Sequence, residues 1–104
     1  MANWNPPNKN EAFEFDITLE DYVNSGTMKT NPTLASGDFK LVQDGAAEAN
    51  PATLPAVTPA SGRTIRVQLT AAEMNFDRIN FLAHDQTVPP EWADYSICIL
   101  TTTP

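Results

Sequence analysis

Apolar and polar positions alternate along much of this chain, and the alternation predicts short strands. The first clear run lies between Glu11 and Glu20, where acidic and polar side chains separate four apolar ones: Phe13, Phe15, Ile17 and Leu19. A period of two is typical of a strand with one buried face. The same pattern over 38–44 and 63–69 predicts two more strands.

The C-terminal third predicts two further strands. Residues 79–85 carry apolar side chains on both faces, which favours a central position in a sheet. Residues 95–101 form the final strand. We expect one core built from the inward positions of all these strands: Phe15, Ile17, Phe39, Leu41, Ile65, Val67, Leu69, Phe81, Ile97 and Ile99.

The connections are rich in turn-forming residues. Asp44-Gly45 predicts a tight turn, because both residues tolerate positive φ. Residues 46–50 then return as a short strand. Three prolines interrupt the chain beyond it: Pro51, Pro55 and Pro59. They predict a surface loop over 50–62 without regular sheet pairing, with Leu54 and Val57 turned inward.

A capping pattern marks one short helical turn. Thr70 can cap residues 71–76, and Glu73 can reach back to the backbone of Thr70. Five or more strands, this turn and Gly/Pro-rich connections predict an all-β fold, a small immunoglobulin-like β-sandwich.

The chain of 104 residues is expected to form one domain with an N-terminal extension. We predict an extended arm over 1–11 and the sandwich over 12–104. The arm combines two prolines with four asparagines and one large apolar side chain, so it should be mobile and free to dock on a partner. The predicted partner-binding residues are Trp4, Asn5, Pro6 and Pro7.

Charge and hydropathy exclude several classes. Thirteen acidic against six basic residues give a net charge of −7, which argues against a nucleic-acid partner. No apolar run approaches the length of about 18 residues that a membrane span needs. The N-terminus has no apolar secretory segment, so we expect synthesis in a cytoplasm.

No reaction is indicated by the candidate chemistry. His84 is the single histidine and has neither a second histidine nor a serine elbow to work with. The carboxylates lack the spacing of a calcium loop, and nothing selects a glycosidase pair. Cys98, between two isoleucines, is expected to be a buried thiol that resists reagents, and Trp92 a core plug. We therefore predict a non-enzymatic protein without metal or cofactor.

Three stretches resemble small β-sandwich modules of tailed-bacteriophage structural proteins: residues 32–41, 44–47 and 69–74. The resemblance extends over about 13–101. It implies a protein of the virion, made in the host cytoplasm and bound to the major capsid protein or another virion protein. A small module with an arm is most similar to a capsid decoration (cement) protein, present as lattice-bound copies or as a homo-oligomer.

Two alternatives stay open. One is a neck, tail or baseplate component, and the other is a carbohydrate- or receptor-binding module using Trp92 or Tyr95. The arm gives a specific expectation. Deleting residues 2–10, or Trp4→Ala, should leave the melting temperature nearly unchanged and weaken incorporation into particles.

Overall fold

The computed structural model describes residues 7–103, and these form two three-stranded antiparallel sheets. The strands are β1 (Phe13–Thr18), β2 (Phe39–Gln43), β3 (Ala56–Val57), β4 (Thr64–Leu69), β5 (Arg78–Ala83) and β6 (Tyr95–Leu100). The predicted all-β sandwich is confirmed. Among these residues there is no helix that could cross a membrane.

The strand order gives the sandwich its immunoglobulin-like character. The first sheet has the order β1-β4-β3 and the second β2-β5-β6. These orders correspond to strands B-E-D and C-F-G of a constant-type immunoglobulin domain. The chain changes sheets after β1, β2 and β4, so each sheet is assembled from distant segments.

The core lies where the inward faces of the two sheets meet. Of the ten predicted core residues, eight are buried, while Phe15 and Ile97 are half-buried and pack against the others. The Phe15 ring meets Phe81 of the opposite sheet edge-on, with ring centroids 5.7 Å apart. The other aromatic pairs of the core have similar separations, between 5.6 and 5.8 Å. Period-two alternation therefore locates the core correctly.

Five further core residues were not on the predicted list: Leu19, Met74, Ile79, Ala83 and Trp92. Trp92 is fully buried and stacks on Phe39, with ring centroids 5.8 Å apart. Its predicted role as a core plug is confirmed. It closes the sandwich at the end where β2 begins.

The predicted turns form as expected. Asp44 and Gly45 both have positive φ (49° and 80°), and Ala46 N–H donates to Gln43 C=O at 3.0 Å. The returning segment is shorter than predicted, because it makes a single bridge in which Leu41 and Ala49 exchange backbone hydrogen bonds of 2.7 and 3.0 Å.

The capping pattern is confirmed in its hydrogen bonds. Thr70 N–H donates to Glu73 Oε1 at 2.8 Å, and Glu73 N–H donates to Thr70 Oγ1 at 3.1 Å. Met74 N–H closes one helical turn on Thr70 C=O at 3.0 Å. The turn does not continue as a helix, and it serves to bury Met74 under the sandwich.

The proline-rich loop differs from its prediction. Ala56 and Val57 form β3, which pairs with β4, because a proline removes its own N–H and leaves the donors of the residues between prolines free. Leu54 is 46% exposed and not inward, since the neighbouring Pro55 takes the buried position. Val57 is half-buried against the core, as expected.

Candidate functional site

The predicted binding residues fall at the start of the described chain. Trp4, Asn5 and Pro6 lie outside the described residues. Pro7 is half-buried, and its C=O accepts the N–H of Thr102 at 2.9 Å. The described part of the predicted arm therefore contacts the sandwich directly.

Residues 7–10 form a short N-terminal strap beside the end of the last strand. Asn8 bridges Thr102 in parallel orientation, and Lys9 N–H donates to Thr102 C=O at 2.8 Å. Asn10 N–H donates to Met74 C=O at 3.1 Å, and Lys9 Nζ lies 3.1 Å from Asp77 Oδ1. The strap thus shields the sheet edge at Thr102.

Three of the four sheet edges are protected against pairing with another strand. The β1 edge carries Glu14 and Asp16, and charged side chains discourage strand addition. The β3 edge has two residues, flanked by prolines that cannot donate. The β2 edge is covered where Leu41 bonds to Ala49.

Within residues 7–103, no such protection covers the β6 edge along Tyr95–Leu100. The strand carries no charge and no proline, and neither do Thr101–Thr103. In the described part of the chain β6 pairs with β5 and with no other strand. An uncharged, unpaired edge strand of this length is a template for pairing with another strand.

Hydrogen bonds at the end of β6 show which backbone groups face outward. Thr101 N–H donates to Asp77 next to β5, while Thr102 N–H donates outward to Pro7. Backbone groups of successive strand residues point to opposite sides, so residues 95, 97 and 99 bond to β5. The N–H and C=O groups of Ser96, Cys98 and Leu100 therefore form the open edge.

Cys98 is exposed, and the prediction of a buried thiol is wrong. Its neighbours Ile97 and Ile99 point to the core, so alternation places the thiol on the outer face, which no further layer of the described chain covers. An exposed thiol is accessible to reagents, so we now expect rapid labelling of Cys98 in the native protein.

The outer faces of the two sheets differ in polarity. On the first sheet, the Arg66 guanidinium lies 3.1 Å from Asp16 and 3.4 Å from Glu14, giving a charged surface. On the second sheet Asn80 lies opposite Cys98 and Leu82 opposite Ser96, and none of these four residues is charged. Lys40 lies opposite Leu82 and Arg78 opposite Leu100, so basic residues border this uncharged patch. Leu100, at 59% exposure, extends this weakly apolar surface to the open edge.

A groove of about 350 Å³ lies on the same side of the sandwich as the open edge. It is lined by Thr18 at the end of β1 and by Tyr95 at the start of β6, so the β1 and β6 edges lie side by side. The half-buried Ile97 belongs to this side as well. A strand added to β6 would cover the exposed part of Ile97.

Three loops meet at one end of the sandwich: 19–38, 58–63 and 84–94. Tyr22 N–H donates to Glu91 C=O at 3.0 Å, and Asn31 N–H donates to Gly62 C=O at 2.7 Å. This loop end exposes Tyr22, Val23 and Val88, at 56%, 81% and 93%.

Two buried carboxylates hold the loop end together. Asp38 accepts the N–H groups of Ala35 and Gln86 at 3.0 and 3.1 Å. Asp85 accepts those of Thr87 and Glu91 at 2.9 and 2.6 Å. Burial raises the pKa of Asp85, but its backbone donors lower it by more, so the net shift is downward. These carboxylates are structural anchors.

His84 is paired with one carboxylate. Its Nδ1 lies 2.6 Å from Asp94 Oδ1, and the hydrogen bond and charge of Asp94 raise the pKa of the imidazole. Nucleophilic catalysis also needs a hydroxyl or thiol hydrogen-bonded to the imidazole, and no described residue supplies one. Residues 7–103 contain no group of three His, Cys, Asp or Glu side chains placed to hold a metal ion.

Comparison with known proteins gives no relative: no family model, no curated protein and no solved structure matches the chain. The open β6 edge is therefore the candidate functional site on its own geometry. The sequence predicted the final strand and shows that it is uncharged. The sequence did not show that this strand lies at the edge of its sheet, because sheet order depends on contacts between distant segments.

Proposed function

We propose that this protein is a non-enzymatic structural protein of a phage virion, and specifically a capsid decoration protein, incorporated through strand addition at the β6 edge. The observation that carries the proposal is that edge. It is uncharged, and no described residue pairs with it along Tyr95–Leu100, while charge, proline or a covering segment protects each of the other three edges. The resemblance to tailed-phage modules gives the proposal its virion setting.

Strand addition fits the chemistry of the edge. The outward N–H and C=O groups of Ser96, Cys98 and Leu100 supply main-chain hydrogen bonds, which give affinity without a specialised pocket. The neighbouring Ile97 and Leu100 supply apolar area that a partner can cover. Such contacts serve a protein that is built into an assembly.

Copy number in purified particles tests the virion setting. Quantitative mass spectrometry against the major capsid protein should give hundreds of copies for a decoration protein. Six or twelve copies would indicate a neck or tail component, and absence from particles would overturn the proposal.

A proline substitution tests the edge itself. Ser96 N–H points outward, so Ser96→Pro removes an edge donor and leaves the bonds to β5 in place. The matched control, Ser96→Ala, keeps the N–H. We expect Ser96→Pro to reduce incorporation at least tenfold, with Ser96→Ala unchanged and both variants folded by circular dichroism. Equal incorporation of the two would refute strand addition at β6.

A further inference from the structure

We infer that the strand added to the β6 edge is β6 of a second copy of this chain, giving a two-fold symmetric dimer with a continuous six-stranded sheet across it. This inference rests on the proposed role of the edge in binding and adds the identity of the partner: the protein would enter the particle as a pair of copies, so that loss of the pairing also lowers incorporation. Two antiparallel copies of one strand pair through a two-fold axis, which passes through a residue that lies opposite its own copy.

The open groups of the edge are arranged symmetrically about Cys98. Ser96 and Leu100 lie two residues to either side of it, and all three present their N–H and C=O outward. With the two-fold axis at Cys98, Ser96 of each copy lies opposite Leu100 of the other. Every outward donor then meets an outward acceptor of the second copy.

The strap fixes this register. Thr102 already bonds to Pro7 and Lys9, so a second strand cannot pair there. Centring the pair at Leu100 would bring Cys98 of one copy to the blocked Thr102 of the other. Centring it at Ser96 would leave Leu100 without a partner inside β6. The axis at Cys98 uses the whole open edge and none of the occupied one.

Charge favours a second copy at β6 over the other edges. The chain carries a net charge of −7, so most surfaces of two copies repel each other. Pairing two β1 edges would place Glu14 and Asp16 against the same carboxylates of the second copy. The uncharged stretch 95–103 allows self-pairing with no like charges directly opposite.

The single cysteine reports on this arrangement without any substitution. In a hydrogen-bonded antiparallel pair the two Cα atoms of opposite residues lie about 5.5 Å apart. Both thiols would lie on the outer face, where Cys98 is exposed. A short bismaleimide should therefore link the two copies through Cys98.

The experiment combines cross-linking with light scattering on the purified full chain. We expect a dimer by size-exclusion chromatography with light scattering, and a bismaleimide dimer that Cys98→Ser abolishes. Because Ser96 and Leu100 are partners across the axis, Ser96→Pro and Leu100→Pro should weaken the dimer by similar factors, tenfold or more. Ser96→Ala and Leu100→Ala are the matched controls, because both keep the N–H. Ser96→Ala should dimerise normally, and Leu100→Ala, which removes apolar area at the edge, should weaken the dimer much less than Leu100→Pro.

The outcomes separate this inference from the proposed function. A monomer whose incorporation still falls with Ser96→Pro would show that a different protein occupies the edge, overturning the self-pairing and leaving the function intact. A dimer that depends on β6 but is absent from particles would overturn the proposed function and leave the self-pairing intact. A dimer that survives both proline variants would also overturn the self-pairing. So would slow amide exchange at residues 96, 98 and 100 in a monomer, because it would show that these N–H groups are already bonded within one copy.

Discussion

Trp92 gives the sharpest test of how the core is built. Its side chain is fully buried and stacked on Phe39, yet its Nε1–H has no hydrogen-bond acceptor among the described residues. The indole thus stabilises the fold through its area and destabilises it through an unpaired donor. Two substitutions separate the two contributions.

Trp92→Ala removes the whole ring system and should cost about 3–5 kcal/mol of unfolding free energy, as other large-to-small core changes do. Trp92→Phe keeps most of the stacking. At about 24 cal/mol per Å³, a remaining void of a few tens of Å³ costs on the order of 1 kcal/mol. Removing a buried unpaired donor returns about 1–3 kcal/mol. We therefore expect Trp92→Phe to be between as stable as the natural protein and about 2 kcal/mol more stable.

Urea unfolding followed by far-ultraviolet circular dichroism measures both values, because fluorescence would also report on Trp4. Val88→Ala is the control: Val88 lies four residues away and is 93% exposed, so its change should stay within about 0.5 kcal/mol. A Trp92→Phe variant as unstable as Trp92→Ala would refute the reasoning, since it would show that the indole N–H has a partner such as a bound water.

Three further predictions concern hydrogen bonds at the ends of the sandwich. The pKa of His84 is raised above its ordinary 6.5, so the bond to Asp94 stabilises the fold fully below that value and is lost as the pH rises through the folded pKa; an NMR titration should show Asp94→Asn lowering the pKa. The pKa of Asp85 is lowered from 3.8, so its contribution is present above that value and lost as the pH falls through the folded pKa. Asp85→Ala should cost about 2–4 kcal/mol in urea at neutral pH, and a loss under 0.5 kcal/mol would contradict its anchoring role. The strap bonds reverse the expectation from composition for the deletion of residues 2–10: it should lower the melting temperature by calorimetry, because Thr102 loses its strap, whereas deleting 2–6 keeps those bonds.

The sequence predicted the parts of the fold that depend on neighbouring residues. Strand positions follow from alternation, because one face of each strand must leave water. The capping turn follows from the spacing of Thr70 and Glu73, and the tight turn from Asp44-Gly45. These patterns need no knowledge of the rest of the chain.

The errors have two physical origins: the one at Cys98 is local, and the one at the strap concerns a property set by distant contacts. Cys98 was expected to be buried because isoleucines flank it, but flanking residues in a strand occupy the opposite face. The strap was predicted as part of a mobile arm because its composition is polar; its order comes from the backbone of Thr102, nearly the whole chain away. Met74 belongs to no alternating run, so no local pattern marked it as core, whereas Leu19 ends the first run and was left off the predicted list.

The β6 edge connects the composition of the last strand to the function that we propose. An uncharged strand within a sheet would need no explanation, because its neighbours would satisfy its backbone. Here the strand is at the border of its sheet, and it lacks the charges, prolines and covering segment that the same chain uses at its other borders. Among the described residues, three edges are protected and the fourth is open for six residues up to the strap at Thr102. This is why we propose that one more strand is added there. A second copy of β6 has the length and the lack of charge that such a place requires, which is why we infer that it is the added strand.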